Sequence, residues 1–411
     1  MDGHILSRLT ESEGRDALGK ARLLNPREEN FLADLSALER QGVERALARG
    51  ALETVLLRIR AEKKFSRAGE MFFTREALEQ ASAEAVSRRR ALRFRGFEGV
   101  ADLGCGIGGD TAALAGCAPV WAVDREVLRL RMARENVRAY APRHPVQYIL
   151  ADLLRPGMFF AGRTGPSAAP GRFALYCDPS RREDDKRIYS VRRYSPPLPL
   201  VASWRAAVPG ESLCVKISPG VRREEIEREP CEVEFLSLRG ELKEAVLWYG
   251  AFQGARRRAT ILPAGETMTD GEAASDALSP PLRILYEPDP SVLRAGLVRQ
   301  LAARLDAARI DPTIAYLTAD QPVPTLWAQA YRIEEVMPFG LKRLRAWLRA
   351  RSVGRVVIKK RGSPVEPAEL ERRLRLQGEE SRILFLTRVK GRHSVIVAHD
   401  RAGVNTGSVV G

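Results

Sequence analysis

No run of the chain approaches the ~18 to 20 consecutive apolar residues that a helix needs to cross a bilayer, so no membrane-spanning helix is expected. Histidine is scarce, with four residues in 411, and none falls in the motifs described below, which leaves little for a histidine-built metal or general-base site. Cysteine is nearly as sparse. The five (Cys105, Cys117, Cys177, Cys214 and Cys231) are odd in number and form no C-x-x-C pair, so neither a zinc ribbon nor a disulfide framework is expected. The opening residues Met-Asp-Gly-His-Ile show neither the basic nor the apolar region of a signal peptide, and a cytoplasmic protein is the natural expectation. Acid is outnumbered as well: 52 Asp and Glu against 67 Lys and Arg leave a net charge of +15. That excess favours a polyanionic partner, most simply RNA, although a GC-rich genome also yields Arg- and Ala-rich chains, so charge by itself names no substrate. Hydrophobic content of 45% and charged content of 29% are those of a globular protein, and the length suits two or three domains.

Glycine, in contrast, is concentrated at one place. From Val100 to Asp110 the chain reads Val-Ala-Asp-Leu-Gly-Cys-Gly-Ile-Gly-Gly-Asp: the end of a buried strand, four glycines within six residues, and a helix start at Thr111. A strand that runs through glycines into a helix brings bare backbone and a helix N-terminus to a ligand. Gly104, Gly106 and Gly109 satisfy the dinucleotide fingerprint G-x-G-x-x-G, while Gly104, Gly106 and Gly108 satisfy G-x-G-x-G. Asp102 tips the balance, because a carboxylate two residues before the first glycine repels a pyrophosphate and attracts a cationic ammonium group. From Gly96 strand and helix alternate, as in a doubly wound parallel sheet. The second strand, Pro119 to Asp124, ends in an acid 20 residues after Gly104, the spacing at which a carboxylate accepts both ribose hydroxyls. A helix over Glu126 to Arg138 leads to a third strand, Val146 to Asp152, also closed by an acid. After a Gly/Pro/Ser/Ala-rich loop at 161–172, the apolar strand Phe173 to Cys177 stops abruptly at Asp178-Pro179-Ser180-Arg181-Arg182.

The glycine stretch resembles motif I of the class I S-adenosylmethionine-dependent methyltransferases. The resemblance implies S-adenosyl-L-methionine as cofactor, with Asp102 near its methionine part and Gly104, Gly106 and Gly108 wrapping it. It implies Asp124, with Arg125 beside it, at the ribose, and Asp152 at the adenine amino group with Leu153 on the ring. It places Asp178, Pro179 and Arg181 beside the transferred methyl group. Amino-methylating members carry Asp/Asn-Pro-Pro-aromatic at that point; here Ser180 and Arg181 replace the second proline and the aromatic. A guanidinium from Arg181 or Arg182 can stack on a base or fork onto a phosphate, which keeps nucleic acid in view.

The flanks read differently. Residues 1–95 are helical, with Asn25 as an expected N-cap, Gly42 and Gly50 as punctuation, and a capped helix from Thr74 to about Arg90. Lys63 and Lys64 lie among Phe65, Phe72 and Phe73, a segment suited to covering a cofactor or touching a nucleic acid. Lys186, Arg187, Arg192 and Arg193 interleave with Tyr189 and Tyr194, a pattern that suits a single strand. Between Phe339 and Gly362 lie nine Lys and Arg without an acid, and Leu341, Leu344, Trp347 and Leu348 give that stretch an apolar helical face. This is the best polyanion site in the chain, so Arg182, Lys342, Arg343, Arg345, Lys359, Lys360 and Arg361 are the expected RNA-binding residues. The Pro288-Asp-Pro290 turn and the Ile358-Lys-Lys-Arg-Gly362 stretch resemble the THUMP-like domain that follows certain bacterial class I methyltransferases. True THUMP domains bind RNA, and for THUMP-like modules that role is inferred from fold.

The expected architecture is therefore α/β: a helical segment (1–95), a Rossmann-like class I methyltransferase domain with a mostly parallel sheet and an antiparallel last strand (96–263), a linker (264–280) and a THUMP-like α+β domain (281–411). The expected function is methyl transfer from S-adenosyl-L-methionine, to a base amine of RNA, without metal or membrane. The competing readings are an RNA-binding protein that has kept the fold but lost catalysis, and a methyltransferase acting on a protein or small molecule.

Overall fold

The structure is a computed structural model and describes residues 2–154, 172–183, 186–188 and 190–399. The expected loop at 161–172 therefore lies almost wholly outside the described residues, as do Tyr189 and the end of the chain. Two compact units divide the chain: Met1–Glu232 with Ala245–Gly254, and Val233–Glu244 with Ala255–Gly411.

The first unit opens with four helices, α1 (Gly3–Thr10), α2 (Ser12–Leu23), α3 (Phe31–Arg40) and α4 (Arg45–Ala61), around buried Leu6, Leu9, Leu38, Leu47 and Leu52. Gly50 is not punctuation. Helix α4 runs through it because Ile5 of α1 packs there, and a Cβ would sit 2.5 Å from the Ile5 methyl. Asn25 is not a cap either: it adopts φ +48° in the turn after α2, and α3 begins only at Phe31. The expected single helix from Thr74 is two. Thr74 does cap α5 (Arg75–Gln80) through the Ala77 amide, but Ala81 to Ala83 are extended before α6 (Glu84–Ala91). The ammonium of Lys64 explains the break, donating to the carbonyls of Leu78, Glu79 and Ala81 at 2.7, 3.1 and 3.0 Å and so ending α5. Phe65, Phe72 and Phe73 are buried in the helical core, which removes them as nucleic acid contacts.

The sheet follows: β1 (Gly99–Leu103), α7 (Gly109–Leu114), β2 (Val120–Asp124), α8 (Val127–Tyr140), β3 (Val146–Leu150) and β4 (Phe173–Cys177). A two-residue pair, β5 (Arg182–Glu183) and β6 (Lys186–Arg187), α9 (Leu198–Ser203), β7 (Leu213–Ile217) and α10 (Arg223–Ile226) come next, then β8 (Glu232–Leu238) and β9 (Glu241–Tyr249). Within this unit the strand order is β9-β7-β4-β1-β2-β3, all parallel except β9, which pairs antiparallel with β7. Strands β1, β4 and β7 are buried along their whole length, as central parallel strands covered on both faces must be. The chain leaves β1 towards β2 and β3, and returns on the other side through β4. The carboxyl ends of β1, β2 and β4 thus meet at the switch point where such sheets bind ligands.

In the second unit β8 and β10 (Arg257–Leu262) are parallel, and β11 (Glu266–Thr269) pairs antiparallel with β10. Residues 264–280 are thus not a linker throughout: their polar sequence hid a short edge strand, whose Met268 is fully buried. A seven-stranded sheet follows, built from β12 (Ile284–Pro288), β13 (Ala308–Asp311), β14 (Ile314–Ala319), β15 (Ala328–Pro338), β16 (Val353–Lys360), β17 (Glu380–Val389) and β18 (Arg392–His399) in the order β13-β14-β12-β15-β18-β17-β16. After β12 come α11 (Pro290–Ala295) and α12 (Val298–Arg304), separated at Gly296, which sits at φ +70°. One face of the sheet packs on α13 (Leu341–Arg349) and α14 (Pro367–Leu374) through Leu344, Leu348, Leu370, Leu384 and Leu386. The opposite face carries Tyr316, Tyr331, Ile383 and Phe385.

Candidate active site

A cavity of about 300 Å³ opens at the carboxyl ends of β1, β2 and β4 in the first unit. Its walls are the glycine loop, the residues after β2 and β3, Asp178 and Ser180, with Ala77, Gln80 and Ser82 from α5 and its following turn. That is within the ~300–1,000 Å³ of small-molecule sites. Of the residues singled out in the sequence, Asp102, Gly104, Gly106, Asp124, Arg125, Asp152, Leu153 and Asp178 all line it. Gly108 does not. It caps α7 at φ +80°, and an added Cβ would lie 2.9 Å from Ala133 of α8, so helix packing by itself requires a glycine here. Pro179 and Arg181 are off the lining, although Ser180 between them and its bridge partner Ser195, with N···O distances of 2.9 and 3.0 Å, both belong to the wall. Arg182 falls in β5, where its side chain lies outside the described part.

Each acid is held differently. Asp102, at the end of buried β1, is 1% exposed and accepts the Thr111 hydroxyl on Oδ2 at 2.5 Å. Its Oδ1 is buried and has no partner among the described residues. Burial lifts its carboxyl to about 8, with nearby Asp110 and Asp178 adding to the rise against the Thr111 hydrogen bond. A buried acceptor without a donor is costly, and an ammonium group would satisfy it. Asp124 accepts the Gly106 amide on Oδ2 at 2.9 Å and the Glu126 amide on Oδ1 at 3.0 Å, which ties the glycine loop to the end of β2. Burial nevertheless raises its pKa. Asp152 is exposed and turns on itself, its Oδ1 accepting the Leu154 amide at 3.0 Å.

Two cations of the site escaped the sequence reading. Lys216, 3% exposed in the middle of β7, places Nζ 2.5 Å from Asp178 Oδ2. A lone lysine inside the apolar strand Leu213-Cys-Val-Lys-Ile217 was the available signal. Arg90 of α6, 2% exposed, pairs with Asp110 of α7, which also accepts Ser87 and, at 2.7 Å, the Tyr176 hydroxyl of β4. Burial alone would raise Asp110, but Arg90, Lys216 and these hydrogen bonds outweigh it and hold the carboxyl at about 2. This buried cluster fastens the N-terminal helices to the glycine loop. Cys105 and Cys177 border the site, yet burial first and the neighbouring aspartates second push both thiols well above their ordinary value, so neither is a ready nucleophile. Tyr194 is buried, its hydroxyl accepting the Ser218 amide at 3.2 Å, and therefore offers no stacking face to a single strand.

The expected polyanion site is divided by the sheet of the second unit. Lys342 and Arg343 are exposed on α13, and Arg345 donates to the Arg373 carbonyl. Lys360 lies on that same face, 2.5 Å from Glu366. Lys359 and Arg361 point to the opposite face: Lys359 pairs with Glu287 over the Tyr331 ring, and Arg361 lies 4.8 Å from the Tyr316 ring centre. Among the described residues no cluster of histidine, cysteine and acids could hold a metal, and no helix is long and apolar enough to cross a membrane.

Comparison with known proteins agrees with this geometry. A family profile described as THUMP domain-like matches residues 328–400. A crystal structure of a candidate methyltransferase from Porphyromonas gingivalis superposes with a TM-score of 0.74 at 19% identity, covering 94% of this chain and 98% of that one, and shares its fold. Uncharacterized S-adenosylmethionine-dependent methyltransferases from two strains of Mycobacterium tuberculosis are each 36% identical over 351 residues, 82% of this chain and 92% of theirs. With a motif I glycine loop, an unsatisfied buried aspartate and three strand-end acids in one cavity, the chain belongs to the S-adenosylmethionine-dependent methyltransferases, with a C-terminal THUMP-like domain.

Proposed function

We propose that this methyltransferase acts on RNA, at an amine of a base, and that Asp178 receives that amine. The observation that carries the reading is the Asp178 carboxylate at the cavity wall: Oδ2 is fixed by buried Lys216, while Oδ1 takes no hydrogen bond among the described residues. A carboxylate held in that way is an acceptor waiting for an N–H, and the ion pair keeps it from rotating when the acceptor group arrives. The residues present suit the cofactor. Asp102 Oδ1 would take the ammonium, Asp124 the ribose hydroxyls, Asp152 the adenine amino group, and Gly104 and Gly106, at φ +86° and +54°, leave the loop bare. S-adenosyl-L-methionine supplies a methyl group already activated on a sulfonium, so no strong base is required of the protein. Positioning is then the main contribution of the chain: Asp178 orients the amine, α5 and its following turn close one side of the cavity, and the Arg90–Asp110 pair keeps that cover attached. RNA as the acceptor is supported by the net charge of +15, by the exposed cations of α13 and by the THUMP domain-like match.

The test is transfer of a tritiated methyl group to total RNA, to total protein and to a metabolite extract. Label in RNA that nuclease digestion recovers as an N-methylated base, lost with Asp178→Ala, is the expected result. Label confined to protein or to small molecules would refute RNA as substrate, and unchanged turnover in Asp178→Ala would refute the role of Asp178.

A further inference from the structure

A second cavity, of about 660 Å³, lies wholly within the second unit and has no part in the chemistry above. One side is the tip of the β8–β9 hairpin, Arg239 and Gly240, with the turn after β10; the other is the end of β12, the start of β15, and Lys359 and Arg361. Much of the wall is apolar and rigid, supplied by Ile261, Leu262, Pro263, Pro288, Pro290 and Leu293. The charged part is cationic in balance. Glu287 is occupied by Lys359, and Asp289 by the Ser291 amide and hydroxyl at 2.8 and 2.6 Å. Arg239 and Arg361 have no ion-pair partner among the described residues.

Arg239 is placed at some cost, and Arg361 is firmly held. Arg239 adopts φ +54° and Gly240 φ +78°, the geometry of a two-residue type I′ turn. Asn, Asp or Gly suits the first position, and a long side chain there bears the left-handed strain. Arg361 is fixed by its amide on the Leu386 carbonyl at 2.9 Å and by the Tyr316 ring, and the following Gly362 is at φ +75° with Ile314 filling the space of any Cβ, at 2.5 Å. Apolar wall, planar cations and flanking hydrogen-bonding groups are what a flat heterocycle carrying a phosphate requires.

We infer that this cavity is a nucleotide-binding site, in which the apolar wall receives a base while Arg239 and Arg361 take its phosphate. The ligand is a nucleotide, free or within a strand, whether or not RNA is the molecule methylated.

Full-length protein, first saturated with S-adenosylhomocysteine to fill the cofactor cavity, is titrated calorimetrically with the four ribonucleoside 5′-monophosphates, the matching nucleosides and a tetranucleotide. Arg239→Asn suits the positive-φ turn, and Arg361→Gln keeps the backbone bond, so both variants fold. The expected result is binding of at least one monophosphate, weakened about tenfold or more by either substitution and by loss of the phosphate, with affinity for S-adenosylhomocysteine unchanged. Tighter binding of the tetranucleotide than of any monomer identifies a strand as the source; equal binding identifies a free nucleotide. No heat with any of these ligands up to about 5 mM, nucleosides binding as well as monophosphates, or binding indifferent to both substitutions would overturn the inference. Nucleotide binding without RNA methylation would leave this site standing and remove the substrate reading, and the converse separates them equally.

Discussion

Asp102 shows how one residue can set the pH behaviour of the site. Its carboxyl, lifted to about 8 by burial, holds a proton at neutral pH in the free protein. On the proposed placement of the cofactor's ammonium group against the Asp102 carboxylate, binding below about pH 8 expels that proton, and affinity for S-adenosylhomocysteine should fall by up to tenfold for each unit of pH lowered. Calorimetry in buffers of different ionisation enthalpy measures the released proton directly, and Asp102→Asn should abolish both the release and the pH dependence. Stability has the opposite pH profile. The folded value lies above the unfolded one of about 4, so the contribution of the retained proton is complete below pH 4 and is lost as pH rises to about 8. Ligand-free protein should therefore lose melting temperature over that window, and the Asn variant should lose less. Lys216 makes a second case. Removing one partner of a buried pair leaves the other charge uncompensated, so Lys216→Met should cost about 2–4 kcal/mol in denaturant unfolding. If Lys216 positions Asp178, Lys216→Arg should restore stability while kcat recovers only in part, a split that a purely structural role does not produce.

At the scale of elements, the glycine loop separates two jobs that one motif combines. A methyl added at Gly106 would meet nothing within 4 Å, and one added at Gly108 would meet Ala133 at 2.9 Å, although both residues sit at positive φ. Gly108→Ala should lower stability by about 1–3 kcal/mol, from strain and from forcing α7 off α8. Gly106→Ala should cost about 1 kcal/mol and instead weaken S-adenosylhomocysteine binding, since its added methyl occupies the cavity wall. Unfolding and titration of the two variants decide the assignment. The sequence could be read this far because strand ends, glycines and acids are local signals: β1, β2, β3 and β4 lie where alternation placed them, and their acids converge on one cavity. It could not be read where a side chain distant in sequence decides. Lys64 ends α5 from 14 residues away, Ile5 lets α4 run through Gly50, and the partner of Asp178 lies 38 residues downstream in β7. The strand β11 was hidden for a related reason: four residues with mostly polar side chains become a strand only because β10 offers an edge.

For the molecule as a whole, charge is the property that the sequence measures well and places badly. A net +15 is certain, and nine cations between Phe339 and Gly362 look like a single patch, yet β16 alternates and sends Lys359 and Arg361 to the tyrosine face, away from α13. Counterion release makes the distinction measurable, because each phosphate neutralised on a single strand contributes about 0.7 to the slope of log K against log salt. Lys342→Ala combined with Arg343→Ala, both exposed on α13, should therefore flatten the slope for RNA by about 1 to 1.5. Neutralising Lys359 together with Glu287 removes an ion pair without changing net charge, and should leave the slope where it was. Filter binding between about 50 and 300 mM salt makes the comparison. If the paired variant flattens the slope and the α13 variant does not, the polyanion lies on the tyrosine face, and Arg361 rather than α13 becomes its first contact.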